Sequence, residues 1–526
     1  MTTQEKIRHQ APLAKYAAAL AAGIALSRVA PECKFALSIA ALAAAAAACR
    51  AFAKKSPRIP ALIAFLFFGI FYAQARAPIM PYPQFTAREA RLELRVKNAA
   101  KSAKGGYGGM AKIESASENF ELARGMDIWF YAKNIEPIFR GERLEGVFIV
   151  REAEKDGGFY EYLKNRNALF KAYAAEGIKV SPAGFPCSFY SKARAFMEQK
   201  LEIAPRGPCL VADGGRALKA MFLGDKSALS REEKDGFKLT GTMHIFAISG
   251  LHVGMLAAII YAVLALARLP AKIKPAISLP ILFLYVNACG APPSAMRAFI
   301  MIAAVWIACA FARKPKPFAG LAAAFMISLL INPGSLFDAG FALSYAVVAA
   351  IVLYAADLNE FLLRKIESGR GFELKEPMIF RRIFLKCEGW IVAGLCIAVA
   401  ALAASAPLCS YYFGYVPLLS VFYSIPFVLG ATIAVFCASA SVVLPAFLCP
   451  ATNAAGAFIL EIMLRSAEFG ASYGFVLNAK IAPEAAALAE AAIVAAMLFC
   501  ARIKSPLRWL VPPAISALAI STAFIF

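Results

Sequence analysis

The sequence predicts an α-helical polytopic membrane protein of about eleven or twelve spans, with a small extracytoplasmic all-β domain inserted after the third span. Three observations predict it. Hydrophobic residues fill 60% of the 526 positions and charged residues 17%, and the mean hydropathy is +0.62. A soluble chain of this size carries a far more charged surface. Apolar runs recur along most of the chain, and one polar stretch interrupts them. A net charge of +22 gathers largely in the short loops between runs, as the positive-inside rule expects.

Residues 12–30, 35–53 and 61–79 read as three opening spans within an N-terminal segment, 1–80. Further spans follow the first and no small-x-small site precedes them, so an uncleaved span is expected rather than a signal peptide. Lys6, Arg8 and Lys15 lie at its start, and Arg50, Lys54, Lys55 and Arg58 lie between the second and third runs. The first loop has only Arg28 and Lys34, offset by Glu32. This asymmetry places the N-terminus in the cytoplasm and the chain outside after the third run.

Residues 81–185 form the predicted β domain. LELRV (92–96), DIWFYA (127–132) and LEGVFIV (144–150) alternate apolar with polar residues, separated by GGYGG (105–109) and charged turns. That is the pattern of about five antiparallel strands in a sandwich or barrel. Residues 160–178 read as a helix closing it. Residues 186–240 read as helices with periodic apolar positions, either lying on the membrane face or packed as linkers.

Residues 241–526 form the main membrane domain. Runs fall at 243–267, 277–291, 298–312, 318–332, 339–356, 390–413, 418–448, 484–500 and 510–526. The run 418–448 exceeds one span and contains Pro426, Gly430 and Pro445, which predicts two short spans or a re-entrant pair. The charged stretch 357–388 reads as a cytoplasmic loop.

Several chemistries are disfavoured. Twelve cysteines form no CxxC pair, and three histidines (His9, His244, His252) cannot assemble a zinc hydrolase cluster. No cofactor or metal is expected. No GxxxxGK[ST] motif is present, so any driving force comes from a partner. Most cysteines sit in apolar runs as small core residues. Cys187 and Cys209 flank a polar, non-spanning segment, and a disulfide between them is permitted if that segment is extracytoplasmic. Spacing alone does not establish its geometry.

The segment HIFAISGLHVGM (244–255) places two of the three histidines, a serine and two glycines inside an apolar run. Polar groups at membrane depth face a bundle interior or a wet path. Ser249 and His252, at i and i+3, share a helix face if the helix is continuous. They read equally as the wall of a path or as polar glue, with Gly250 and Gly254 allowing close helix approach. His244, two turns earlier, also reads as an interface residue.

Four ordered motifs carry a resemblance: MFLGDKSALS (221–230), TGTMHIFAISGLHVGML (240–256), GAPPSAMRAFIM (290–301) and NPGSLFDAGFALSYAVV (332–348). They resemble the ComEC competence proteins, inner-membrane channels for DNA uptake in bacteria. The resemblance implies an OB-fold-like β domain outside the bacterial inner membrane, and passage of single-stranded DNA through the bundle. It implies a transport protein, not an enzyme. It also implies a separate cytoplasmic helicase-like ATPase and a periplasmic DNA-delivery protein, besides contact with membrane lipid. Many relatives continue into a metallo-β-lactamase-like domain; with no HxHxDH cluster here, a nuclease is expected as a separate protein. Relatives often carry an asparagine before a proline in a late span, where this chain reads SVFYSIPF (420–427).

On these motifs the candidate path residues are Asp225, His244, Ser249, His252, Ser294, Arg297, Asp338 and Ser344, with Gly250, Gly254 and Gly340 as packing positions. Arg297 follows Pro292, Pro293 and Ser294 in the first turn of a helix, where free backbone N–H groups and a guanidinium suit a phosphate. From the residues alone, snorkelling to headgroups is the stronger reading; the resemblance reverses that order. Asp338 reads as a helix N-cap or as a partner for Arg297, and Asp225 as a turn cap. Rival functions are secondary transport of a smaller anion, or an intramembrane hydrolase built on Ser249 and His252 with Asp225 or Asp338.

Overall fold

The computed structural model describes residues 3–29, 58–75, 88–101, 105–117, 120, 124–133, 135, 138–154, 158–166, 168–175, 177–203, 212–248, 250–270, 272–311, 317–369, 378–500 and 506–524. The expected second span, 35–53, lies outside them. The first and third appear as α1 (Thr3–Val29) and α2 (Arg58–Ala75), packed together.

The polar insert is a β barrel. Strand β1 (Arg88–Lys101) pairs antiparallel with β2 (Tyr107–Ala116) and also with β4 (Arg143–Glu152). Strand β2 pairs with β3 (Asp127–Ala132), β3 runs parallel to β5 (Phe170–Ala174), and β5 pairs with β4. The ring β1-β2-β3-β5-β4 therefore closes on itself, and β6 (Lys179–Ser181) adds to β4. Alternation drives it: Leu92, Leu94, Ile128, Phe130, Leu144, Phe148 and Val150 point inward and are fully buried.

The helix expected over 160–178 is corrected. Only α3 (Gly158–Lys164) is helical, and the chain then turns into β5. Phe170 and Ala172 alternate inward, and β5 occupies the otherwise open edges of β3 and β4. Edge pairing outweighs local helix propensity.

The helices over 186–240 are α4 (Cys187–Glu202), α5 (Ala212–Leu223) and α6 (Arg231–Leu239). Leu218, Met221, Phe222 and Phe237 join the largest buried core of the bundle.

The bundle continues with α7 (Gly250–Leu266), α8 (Ile273–Ala288), α9 (Pro293–Ala310), α10 (Pro317–Ile331) and α11 (Ala339–Ala350). After a π turn come α12 (Ala356–Gly369), α13 (Met378–Phe413), α14 (Ser420–Val443), α15 (Cys449–Ser472), α16 (Pro483–Cys500) and α17 (Val511–Ser521). Short strands β7 (Tyr415–Pro417) and β8 (Val476–Asn478) tie two of the turns together. Helix is the expected form here, because only intrahelical bonding satisfies the backbone of a lone apolar segment in lipid. Among the described residues, four helices are long and apolar enough to cross a membrane, and five shorter apolar helices accompany them.

Four features differ from expectation. The run 243–267 is not one helix: Met243–Phe246 is a 3-10 turn, and the α helix starts at Gly250. The run 418–448 is one helix, α14, that tolerates Pro426 internally and stops before Pro445. The following helix α15 was hidden by its charges, Glu461, Arg465 and Glu468. The expected loop 357–388 is mostly α12 and the start of α13.

Candidate functional site at the barrel–bundle junction

The turn Pro333–Phe337 between α10 and α11 builds the junction. Asn332 accepts the Gly334 N–H at 3.0 Å, and Ser335 Oγ donates to Asn332 O at 2.6 Å, which folds the turn tightly. Gly334 lies flat on the barrel: an added Cβ would fall 2.0 Å from Asn165 O. A side chain there would push the two bodies apart.

Beside it, Asp338 meets Arg166 of the barrel. Arg166 Nη2 lies 2.8 Å from Asp338 Oδ2, and Nη1 donates to Oδ1 at 3.0 Å. The pair is bidentate, charge-assisted and mostly buried. Arg166 also stacks over the Tyr162 ring, 3.9 Å from its centroid. Burial pushes the Tyr162 phenol pKa up, while the neighbouring guanidinium opposes that rise. Asn165 Nδ2 donates to Phe337 O at 3.3 Å, and Tyr412 of α13 donates to the same carbonyl at 3.0 Å.

A cleft of about 550 Å³ opens between barrel and bundle, lined by Lys97, Lys112, Arg166, Asn98, Met110 and Asn332, among others. Lys97 is paired with Asp127 at 2.7 Å. Cations outnumber acids on this lining, which suits a polyanion.

Arg297 lies in the bundle, on the second turn of α9, and is only 4% exposed. Its Nη2 donates to Gly340 O at 3.0 Å. Its guanidinium sits over Phe341 and Tyr345, at 5.6 and 5.1 Å from their centroids. Nε and Nη1 have no hydrogen-bond partner among the described residues. Cation–π contact offsets part of the desolvation, but the donor set is not filled. The alternative pairing of Arg297 with Asp338 does not form: the carboxylate is held by Arg166, and Arg297 takes a carbonyl. Asp338 stands at the N-cap position of α11, yet its side chain makes no capping bond, because the ion pair takes its oxygens.

The other expected positions separate. Asp225 caps its turn as predicted, accepting from Ser227 N at 3.0 Å and from Ser227 Oγ at 2.6 Å. Ser294 Oγ donates to Ile248 O at 2.7 Å and pins the start of α9 to the segment before α7. His244 lies in the 3-10 turn, with Nδ1 3.1 Å from Gly241 O, so it does not share a helix with His252. His252 is buried on α7 at 1% exposure, and Ser249 lies outside the described residues. Ser344 is half-buried on α11. Cys187 is a free thiol, and Cys209 lies outside the described residues.

Of the three glycines read as packing positions, Gly250 is the one beside a neighbouring helix. A Cβ on Gly250 would meet Ala298 at an ordinary 3.5 Å, and one on Gly254 or Gly340 would meet open space. Tight approaches lie at other glycines: Gly23 and Gly69, where a Cβ would fall 2.0 Å from Leu66 O and 2.4 Å from Leu20 O between α1 and α2, and Gly214 of α5, where it would fall 2.0 Å from Ala457 O of α15. Sequence reasoning missed Arg166, Asn165, Lys97 and Lys112. The alternation of Lys97 on β1 and the cluster KNRN (164–167) were the available signals.

The family described as Competence protein matches residues 221–505, more than half of the chain. A stretch of 148 residues, 27% of the chain, is 34% identical to the ComE operon protein 3 of Bacillus subtilis (strain 168) and covers 19% of that protein. No solved structure matches. The matched region contains Asp225, His252, Ser294, Arg297 and Asp338, in the motifs whose spacing resembled ComEC, and this chain belongs to that family of competence proteins.

Proposed function

We propose that this protein is the inner-membrane conduit through which a single DNA strand reaches the cytoplasm during transformation. A bilayer core excludes the strand's charge, so its path must be wet and bordered by polar or cationic groups. The observation that carries the reading is the cationic junction cleft, where Lys97, Lys112 and Arg166 face the space between barrel and bundle. The closed five-strand ring, with β3 and β5 parallel, supports reading the barrel as an OB fold, an architecture suited to oligonucleotides. The loop charges support a cytoplasmic N-terminus and an extracytoplasmic barrel. In this reading the chain supplies passage, while a separate ATPase, a periplasmic delivery protein and a separate nuclease supply force, substrate and strand removal.

The test is deletion followed by separate assays of labelled-DNA binding and import. Loss of import with surface binding retained is expected. Normal import without the protein would sink the proposal.

A further inference from the structure

We propose that the outer stripe of α4 is a nucleic-acid contact wall that runs through the depth of the bundle. Helix α4 reaches from the barrel to the far end of α14. Its first residue, Cys187, packs on the barrel turn at Gly141, where an added Cβ would fall 2.3 Å from Cys187 Cβ. Its last turn docks at the opposite end of α14. Lys200 Nζ donates to Leu444 O at 2.8 Å, and Asn453 Nδ2 bonds the carbonyl oxygens of Lys200 and Ile203 at 3.0 and 2.9 Å. Between these ends α4 runs beside α8 and α14, with Tyr190 against Phe283 at 6.5 Å. Helices α5 and α6 then return along α15, with Gly214 N donating to Glu461 at 3.1 Å and Gly236 facing Ala467.

A helix of sixteen residues spans about 24 Å, most of a bilayer core. Yet α4 carries Lys192, Arg194, Glu198, Lys200 and Glu202 along that length. A flank so charged does not face hydrocarbon. Most of these charges are satisfied within the fold: Arg194 pairs with Glu198 at 3.0 Å, Glu202 pairs with Lys219, and Lys200 takes the Leu444 carbonyl. Met197 and Leu201 face the core.

Exposed on α4 are Phe189, Lys192, Ala195, Phe196, Gln199 and Glu202; of these Phe189, Lys192, Phe196 and Gln199, spaced three and four apart, form one stripe, with Lys200 Nζ 5.7 Å from the Phe196 ring centroid. Both phenylalanines are about half exposed, and Lys192 forms no ion pair among the described residues. An aromatic, a cation, an aromatic and an amide in line match what single strands ask of a surface. Bases stack on rings, a phosphate meets the lysine, and the amide bonds a base edge. A lipid-facing helix would not set a lysine and a glutamine into the same line. The exposed stripe follows from burial and charge alone; the identity of its occupant rests on the conduit reading.

The test places a photo-crosslinking phenylalanine analogue at Phe189, at Phe196 and, as a lipid-facing control, at Leu488 on α16. The full-length protein, in vesicles of phosphatidylethanolamine and phosphatidylglycerol, is irradiated with a labelled single-stranded oligonucleotide. Adducts to the oligonucleotide at Phe189 and Phe196, with lipid adducts at Leu488, are expected. Lipid adducts at all three, or no adduct to DNA at the α4 positions, overturn the inference. In parallel, Phe196→Leu should weaken oligonucleotide binding about fivefold or more, and Phe196→Trp should retain it. Equal binding by both variants also overturns it. If import in cells persists while crosslinks fail, the wall is wrong and the conduit stands; if deletion leaves import normal, the conduit itself is wrong.

Discussion

Arg166 and Asp338 are 172 positions apart in sequence and form a two-bonded ion pair with a closest approach of 2.8 Å. It joins the barrel to the start of α11 beside the junction cleft. Both side chains are largely shielded, so removing one leaves the other charge short of solvent and partner. Arg166→Ala or Asp338→Ala should each destabilise the assembly by about 1–3 kcal/mol. The check is thermal unfolding in detergent together with protease cutting of the barrel-proximal loops. The charge-swapped double variant, Arg166→Asp with Asp338→Arg, should recover part of the loss. Additive losses in the double variant would mean the two residues act separately.

Arg297 behaves differently, because its environment offers rings and one carbonyl instead of a carboxylate. Replacing a buried, incompletely bonded cation with an apolar group of similar length is neutral or stabilising in many proteins. Arg297→Met should therefore leave the unfolding temperature unchanged or raise it, within about 1 kcal/mol. Import of labelled DNA should nevertheless fall. A folded variant with full import would reduce Arg297 to a packing residue.

The glycines give a contrast within one experiment. Gly214→Ala forces a Cβ against the Ala457 carbonyl across α5 and α15, and should cost about 1–3 kcal/mol. Gly254→Ala meets no atom and should be neutral or mildly stabilising through helix propensity. Thermal unfolding of both variants in detergent ranks them. The reverse order would restore Gly250-x-x-x-Gly254 as the packing seam.

These contrasts mark what was legible in the sequence. Strand alternation located β3 and β4, since burial on one face of a strand leaves a local trace, as at Ile128 and Phe130. Strand β5 reads locally as helix because its five residues are stabilised by a closing pairing that no local window contains. The motif segments point to Arg297 and Asp338 and offer Asp338 either a cap or a bond to Arg297. The true partner of Asp338 lies in the barrel, and only folding brings the two together. Helix α15 carries Glu461, Arg465 and Glu468 in an otherwise apolar stretch, and Glu461 accepts from the Gly214 N–H across the bundle, a partner that no local window contains.

The lysines of the cleft allow a prediction whose sign is not obvious. Lys97 is held by Asp127 at 2.7 Å, whereas Lys112 lines the same cleft without an ion pair among the described residues. Removing Lys112 should weaken single-strand binding and reduce the slope of log K against log salt by about 0.7, one phosphate contact's worth of released counterion. Asp127→Asn acts the other way. It frees Lys97 from its carboxylate, so binding should tighten and the slope steepen by up to about 0.7. The pair is partly exposed, so stability should change by about 1 kcal/mol or less, which keeps the binding readout clean. Titrating a fluorescent oligonucleotide against the full-length protein at several salt concentrations measures both variants. Weaker binding by Asp127→Asn would mean that the carboxylate orients Lys97 toward the strand instead of competing for it.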